Sequence, residues 1–256
     1  MDRRTGVRLP MRYWRTACGV LASVALALVI SACHAGGQNA NYFPLDSGWS
    51  WQYRVTLDIK NVGKETTAIV VANSSPLTES NQKVFPRIYQ DGHRYDYISQ
   101  EDGILLVSDR VSGNQVRPAE AKQYVIKYPL AAGTSWPVAS RTYLLRRQIF
   151  SPTAVIMVPI TVPIEVTYTI EATDDVVRVP AGVFRNCLRI RGTAASVRDL
   201  GERIGDAEVR VDATEWFAPG VGLVKMVRKE DSRPESPASG SMAIELQRLD
   251  KGSWFN

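Results

Sequence analysis

The sequence predicts an all-β, antiparallel domain behind a cleaved N-terminal signal peptide. The domain is a strongly curled sheet, or an open barrel or sandwich. Three observations predict it. Apolar and polar residues alternate with a period of two over long runs. Turn-forming residues separate those runs at fairly regular intervals. After residue 41 no segment carries a clear apolar stripe at helical spacing; the one weak helical candidate is 117–123.

The alternation is clearest over residues 49–60. Trp49, Trp51, Tyr53, Val55, Leu57 and Ile59 share one face, and Ser50, Gln52, Arg54, Thr56, Asp58 and Lys60 share the other. That is a strand with one buried and one wet face, which favours antiparallel pairing. Asn61-Val62-Gly63-Lys64 turns the chain, and 66–72 reads as the returning strand. Ile160, Val162, Ile164, Val166, Tyr168 and Ile170 repeat the pattern, as do Val209 and Val211, and Met242, Ile244 and Leu246. Turns fall at Asp91-Gly92, Asp102-Gly103, Ser112-Gly113-Asn114 and Ala181-Gly182, with a Ser/Pro/Gly-rich loop at 234–240.

The first 41 residues read differently. Arg3, Arg4, Arg8, Arg12 and Arg15 precede a short apolar run over 17–30, and Ile30-Ser31-Ala32-Cys33 follows. A charged start, a short apolar core and small residues at a cut are the pattern of a secretory signal. The run is short for a membrane span, which needs about 20 apolar residues. An ordinary signal peptide or an N-terminal membrane anchor is the competing reading. The segment resembles the processing site of bacterial lipoproteins. That resemblance implies removal of residues 1–32, diacylglyceryl and acyl chains on Cys33, and a polar tether over 33–41. His34 stands where lipoproteins retained in the inner membrane often have aspartate, so the resemblance implies the outer membrane. Residues 42–256 then form a single all-β domain facing the periplasm, anchored to the membrane by the lipid on Cys33.

Charge excludes one function class. The chain carries net charge +5, but its first 32 residues hold five arginines and one aspartate, which leaves the remainder near +1. Nucleic-acid binding calls for a concentrated basic footprint, and none is present. Cysteine usage excludes another feature. With Cys18 in the leader and Cys33 acylated, Cys187 stands alone and forms no intramolecular disulfide. Cys187 is then either a small buried hydrophobe or a reactive thiol whose pKa nearby arginines lower.

Two segments echo each other. Tyr42-Phe43-Pro44-Leu45-Asp46-Ser47-Gly48-Trp49-Ser50-Trp51 parallels Lys127-Tyr128-Pro129-Leu130-Ala131-Ala132-Gly133-Thr134-Ser135-Trp136. Proline fixes φ and glycine supplies a tight turn, so the shared reading is the start of a strand rather than a ligand site. Val179-Pro180-Ala181-Gly182-Val183-Phe184-Arg185-Asn186-Cys187-Leu188 and Glu215-Trp216-Phe217-Ala218-Pro219-Gly220-Val221-Gly222-Leu223-Val224-Lys225 are two further motifs. In the first, Leu188 and Ile190 read as sharing a face with Phe184, and Cys187 as lying with Arg185, Arg189 and Arg191. With the opening segment they resemble the DUF3108-like exported bacterial families. The resemblance implies a β-rich fold and carries no established activity.

No catalytic constellation assembles. His93 lies in a turn, and no motif pairs it with Cys187. The adjacent acids Glu101-Asp102, Asp174-Asp175 and Glu230-Asp231 sit near turns without calcium-loop spacing. One histidine and one cysteine furnish a zinc site poorly, and nothing calls for a cofactor. The cluster Arg141, Arg146, Arg147 with Tyr143 reads as a wet strand face, or as a contact for an anionic headgroup or glycan. Ala154-Val155-Ile156-Met157-Val158 is apolar on both faces between Pro159 and the preceding loop. It is either a buried strand crossing the core or an exposed apolar edge. The function expected is a non-enzymatic binding or scaffold module of the cell envelope. Trp49, Trp51, Tyr53, Val155, Met157 and Val158 are its candidate contacts for a lipid or other apolar ligand, or for an envelope protein docked on a strand edge. A hydrolase using Cys187 or paired carboxylates is the remaining class.

Overall fold

A computed structural model describes residues 40–111, 115–150, 153–201, 204–234 and 237–252; for 111 and 115–121 it describes the backbone alone. The signal peptide (1–32), the lipid site Cys33 and all but the end of the tether (33–41) lie outside the described residues.

The described chain is antiparallel β-structure throughout. Its strands are β1 (Trp49–Ile59), β2 (Gly63–Asn73), β3 (Leu77–Glu79), β4 (Gln82–Tyr89), β5 (Arg94–Gln100), β6 (Gly103–Val111), β7 (Gln115–Lys127), β8 (Ser135–Arg141), β9 (Arg146–Phe150), β10 (Val155–Pro159), β11 (Pro163–Val179), β12 (Gly182–Asp199), β13 (Asp206–Ala218), β14 (Gly222–Arg233) and β15 (Gly240–Lys251). Hydrogen bonding orders the main sheet β7-β6-β5-β4-β2-β1-β15-β14-β13-β12-β11-β8, with β3 added to β4. First and last strands pair, from Trp49 opposite Lys251 to Ile59 opposite Gly240. The sheet curls into a nearly closed barrel. Where its two end strands approach, the Trp136 indole on β8 donates to the Tyr124 carbonyl on β7 at 3.0 Å. Curling lets one face bury itself while hydrogen bonds continue from strand to strand.

Alternation explains which face is inside. On β1, Trp51, Tyr53, Val55 and Ile59 are buried. The opposite face is wet and ion-paired: Arg54 meets Glu245 at 2.6 Å, and Arg191 meets Asp212 at 2.6 Å. Gly192 shows how tightly the inner face packs. A Cβ there would lie 2.6 Å from the Tyr168 ring, so only glycine lets that ring lie against β12.

Three expectations change. Residues 117–123 are strand, within β7, and not helix; Pro118 lies opposite Ser108 in the β6–β7 ladder. Tertiary pairing overrides the weak local signal there. Phe184 does not share a cluster with Leu188 and Ile190. Asn186 adopts φ 53 and the β11–β12 register slips between Asp175 and Val177, so the alternation inverts and Phe184 joins the cluster of Cys187. Residues 155–159 do not cross the core. They pair with β9 in a separate two-stranded hairpin, and Val155 and Ile156 are 57% and 51% exposed.

The echoed segments have one structural job. In both, glycine takes positive φ (80° at Gly48, 92° at Gly133) and its N–H donates to a neighbouring strand, at Asn73 and Ile170. In both, the final tryptophan is 2% exposed and its indole donates to a backbone carbonyl, Val221 for Trp51 and Tyr124 for Trp136. A strand start and a sealed indole recur at two places in the barrel.

Candidate functional site

One level of the barrel is closed by the three sequence motifs together. Trp51 and Tyr53 donate to the carbonyls of Val221 and Leu223, at 2.7 and 3.0 Å. Tyr42 donates to the Asn186 carbonyl at 2.9 Å, and the Gly220 N–H donates to Asn41 at 2.8 Å. Beneath them lies a buried cation. The Arg87 guanidinium stands 4.1 Å from the Phe43 ring, 4.6 Å from Trp51 and 5.5 Å from Tyr97. It donates to Asn73 Oδ1 and to the Pro44 carbonyl, each at 2.8 Å. Ring faces and carbonyl dipoles, rather than a carboxylate, offset its charge.

A second level is closed by a segment that crosses the barrel before β9. Thr142, Leu144 and Leu145 are buried there. Glu230 Oε2 accepts the N–H groups of Tyr143 and Leu144 at 2.9 and 2.8 Å, and its Oε1 takes Arg228 Nε at 2.8 Å. Arg228 also donates to the Arg141 carbonyl at 2.9 Å and covers the Tyr143 ring at 4.5 Å.

Strand register places another layer between these levels. Val55, Ile244, Met226, Glu215 and Ile190 lie in one row across β1, β15, β14, β13 and β12. The row shares the inward face with buried Ala213, Arg228 and Leu246. Yet Glu215, Met226, Ile244 and neighbouring Tyr168 and Met242 are only partly buried. Inward-facing side chains that water still reaches mark an interior that is not filled. Burial raises the phenols of Tyr89, Tyr143 and Tyr168, and the Glu215 carboxylate raises each further.

Glu215 is the unusual member. Burial raises its pKa to about 7, and the Arg228 guanidinium, already bound to Glu230, opposes this weakly. Among the described residues no hydrogen bond or ion pair reaches its carboxylate. A carboxyl held in this way offers a proton at neutral pH and accepts one readily. By contrast, one outer groove of about 320 Å³ is lined by Lys60, Arg210, Asp231 and Arg233.

The other candidate residues lie elsewhere. Trp49 is partly buried, with the Lys251 ammonium 4.4 Å over its ring. Val155, Met157 and Val158 are on the β9–β10 hairpin, apart from the barrel interior. Cys187 is fully buried, and burial raises its thiol to about 11, the opposite of an activated nucleophile. Arg189 does not lower it because Arg189 is bound to Asp175 at 2.9 Å and Glu171 at 3.1 Å. His93 pairs with Asp91 in the β4–β5 turn, at 2.9 Å, and no contact links it to Cys187. No group of metal-binding side chains occurs among the described residues.

Sequence reading gives no site role to Glu215, which opens a motif, to Glu230, which reads as a turn acid, or to Arg228 and Arg87. One signal was available. Each is a charged residue on the apolar register of its strand: Val209, Val211, Ala213, then Glu215; Met226, then Arg228 and Glu230. A charge in that register lies inside or marks a bulge.

No family model matches the chain, so the motif likeness to the DUF3108-like families is not confirmed in that way. No curated protein matches it significantly. Two solved structures do. One is a provisionally named lipoprotein from Parabacteroides distasonis, 15% identical with a TM-score of 0.41, covering 82% of this chain and 99% of its own. The other is a provisionally named exported protein with a YmcC-like fold from Bacteroides fragilis, 13% identical with a TM-score of 0.37, covering 83% and 100%. Likenesses at these scores carry no argument about activity.

Proposed function

We propose that this chain is a non-enzymatic, lipid-anchored protein of the cell envelope, seated on the outer membrane and facing the periplasm, whose barrel interior holds a lipid or other apolar ligand. The lipoprotein-like leader supports the address. One observation carries the binding reading: the inward row around Glu215, Met226 and Ile244 stays partly open between two closed levels. Apolar walls with one or two convergent polar groups are the usual make-up of a ligand site. Glu215 and the tyrosine hydroxyls would hold the polar end of the ligand, and Met226, Met242 and Ile244 its apolar body.

Ala40–Asn256 form their own compact unit, so a leaderless protein starting at Ala35 serves for the test. It is exported with a cleavable signal, purified from the periplasm without detergent, and analysed by native mass spectrometry. A retained apolar molecule at about one per chain is expected. Met226→Trp fills an open interior and should abolish that retention with little loss of stability. In a filled core the same change costs about 1–3 kcal/mol. An empty protein that also loses stability in Met226→Trp would overturn the reading.

A separate observation favours a second reading, docking of an envelope partner on a strand edge. β2 pairs with β4 only from Val71 to Asn73, and residues 63–68 are exposed. That edge offers unpaired backbone groups to an added strand. Thr66→Pro should block such a partner in cross-linking and leave ligand retention untouched.

A further inference from the structure

The β9–β10 hairpin combines two features. Its outer end is apolar on both faces. Phe150 lies opposite Val155 and Ile149 opposite Ile156, and Phe150, Val155 and Ile156 are 66%, 57% and 51% exposed. Its inner end is cationic and unneutralised. Arg147 lies opposite Val158 and Arg146 opposite Pro159. Other surface arginines such as Arg54, Arg189 and Arg191 have acids beside them. Among the described residues Arg141, Arg146 and Arg147 have none. Arg146 donates only to the carbonyls of Tyr143 and Leu145, at 2.6 and 3.1 Å, and Arg147 has a buried Nε without an acceptor.

The spacing matters. Arg147 stands three residues before Phe150, which at the rise of a strand is about 10 Å. Interfacial segments sink their apolar part about 5–10 Å into the boundary between headgroups and acyl chains. Arginines one such depth behind an apolar tip stand at the level of lipid phosphates, which a guanidinium binds bidentately.

We propose that the β9–β10 hairpin seats in an anionic membrane surface, with Phe150, Val155 and Ile156 entering the acyl boundary and Arg146 and Arg147 meeting lipid phosphates. This goes beyond the ligand in the barrel and is independent of it. It gives an anchored domain a fixed orientation on its bilayer, where the acyl chains on Cys33 would give only tethering.

The test uses the whole acylated protein in vesicles, so anchoring is the same in every sample. Phe150→Cys and Ile156→Cys each receive an environment-sensitive fluorophore; Cys187 is buried and does not compete. Val62→Cys, on the exposed β1–β2 turn, is the control. Vesicles of phosphatidylglycerol and phosphatidylethanolamine are compared with phosphatidylcholine, with nitroxide-labelled lipids as quenchers. Thermal unfolding checks that each variant is folded. The expected result is blue-shifted, quenched emission at 150 and 156 but not at 62, several-fold stronger in the anionic vesicles. Adding Arg146→Ser and Arg147→Ser should remove most of it. Emission at 150 and 156 that matches position 62 overturns the proposal. Quenching indifferent to lipid charge and to both arginines also overturns it, as does a shift that appears only when solubilised envelope proteins are added.

Discussion

Two buried arginines close the barrel at different levels, by different physics. Arg228 is matched with a carboxylate 2.8 Å away, and that carboxylate also ties down the segment crossing the barrel through two backbone N–H groups. Arg87 has no carboxylate among the described residues; three aromatic rings, Asn73 Oδ1 and the Pro44 carbonyl surround it. The first is a mutual dependence, in which losing either partner strands a buried charge. The second is a sum of graded contacts, in which losing the cation leaves behind groups that are mostly apolar.

The difference orders the expected effects of substitution. Glu230→Ala should cost most, about 3–5 kcal/mol, because Arg228 stays buried without its partner. Urea unfolding measures it. Replacing both, as Arg228→Met with Glu230→Leu, should cost less than the single change and so reveal coupling of about 0.5–3 kcal/mol in a double-mutant cycle. Additive losses would break the contrast. Arg87→Met should cost about 1–3 kcal/mol, from the Asn73 Oδ1 left without its donor and the lost ring contacts. A loss larger than that of Glu230→Ala would show that the two seals have been ranked wrongly.

In the row of Arg228, Gly192→Ala drives a Cβ into the Tyr168 ring and should cost about 1–3 kcal/mol. Its melting temperature reports whether that side of the layer is as closely packed as the geometry shows. The effect expected at Glu215 depends on pH. Below the ordinary value of 4.5 the folded and unfolded chains both hold the proton. As pH rises from 4.5 to about 7 the unfolded chain releases it while the folded chain keeps it, so stability falls; above about 7 the penalty is constant. Glu215→Gln should therefore match the parent at pH 4 and exceed its stability at pH 8. Equal stability at both values would place the carboxyl in water.

Much of the fold is legible in the residues. Alternation over 49–60 locates β1 and its inner face, and the turn signals at 61–64, 91–92 and 102–103 locate three hairpins. The missed features are those where register slips. Asn186 in the left-handed region reassigns Phe184 to the other cluster, because one added residue inverts every side chain beyond it. The site was less legible. Trp51 and Tyr53 are readable as inward and aromatic, but the carbonyls of Val221 and Leu223 that receive them lie 170 residues away in the chain.

By itself, then, the sequence determines the secondary structure, the antiparallel habit, the wet and dry faces and the leader-like start, because each depends on neighbours within a few residues. Only the tertiary structure decides that β1 pairs with β15, that three distant motifs meet in one seal, that the 154–159 stretch points outward, and that Glu215 stands unpaired inside. Those depend on which strands meet when the sheet curls, and the energy of a buried charge is set by the neighbours that curling brings to it.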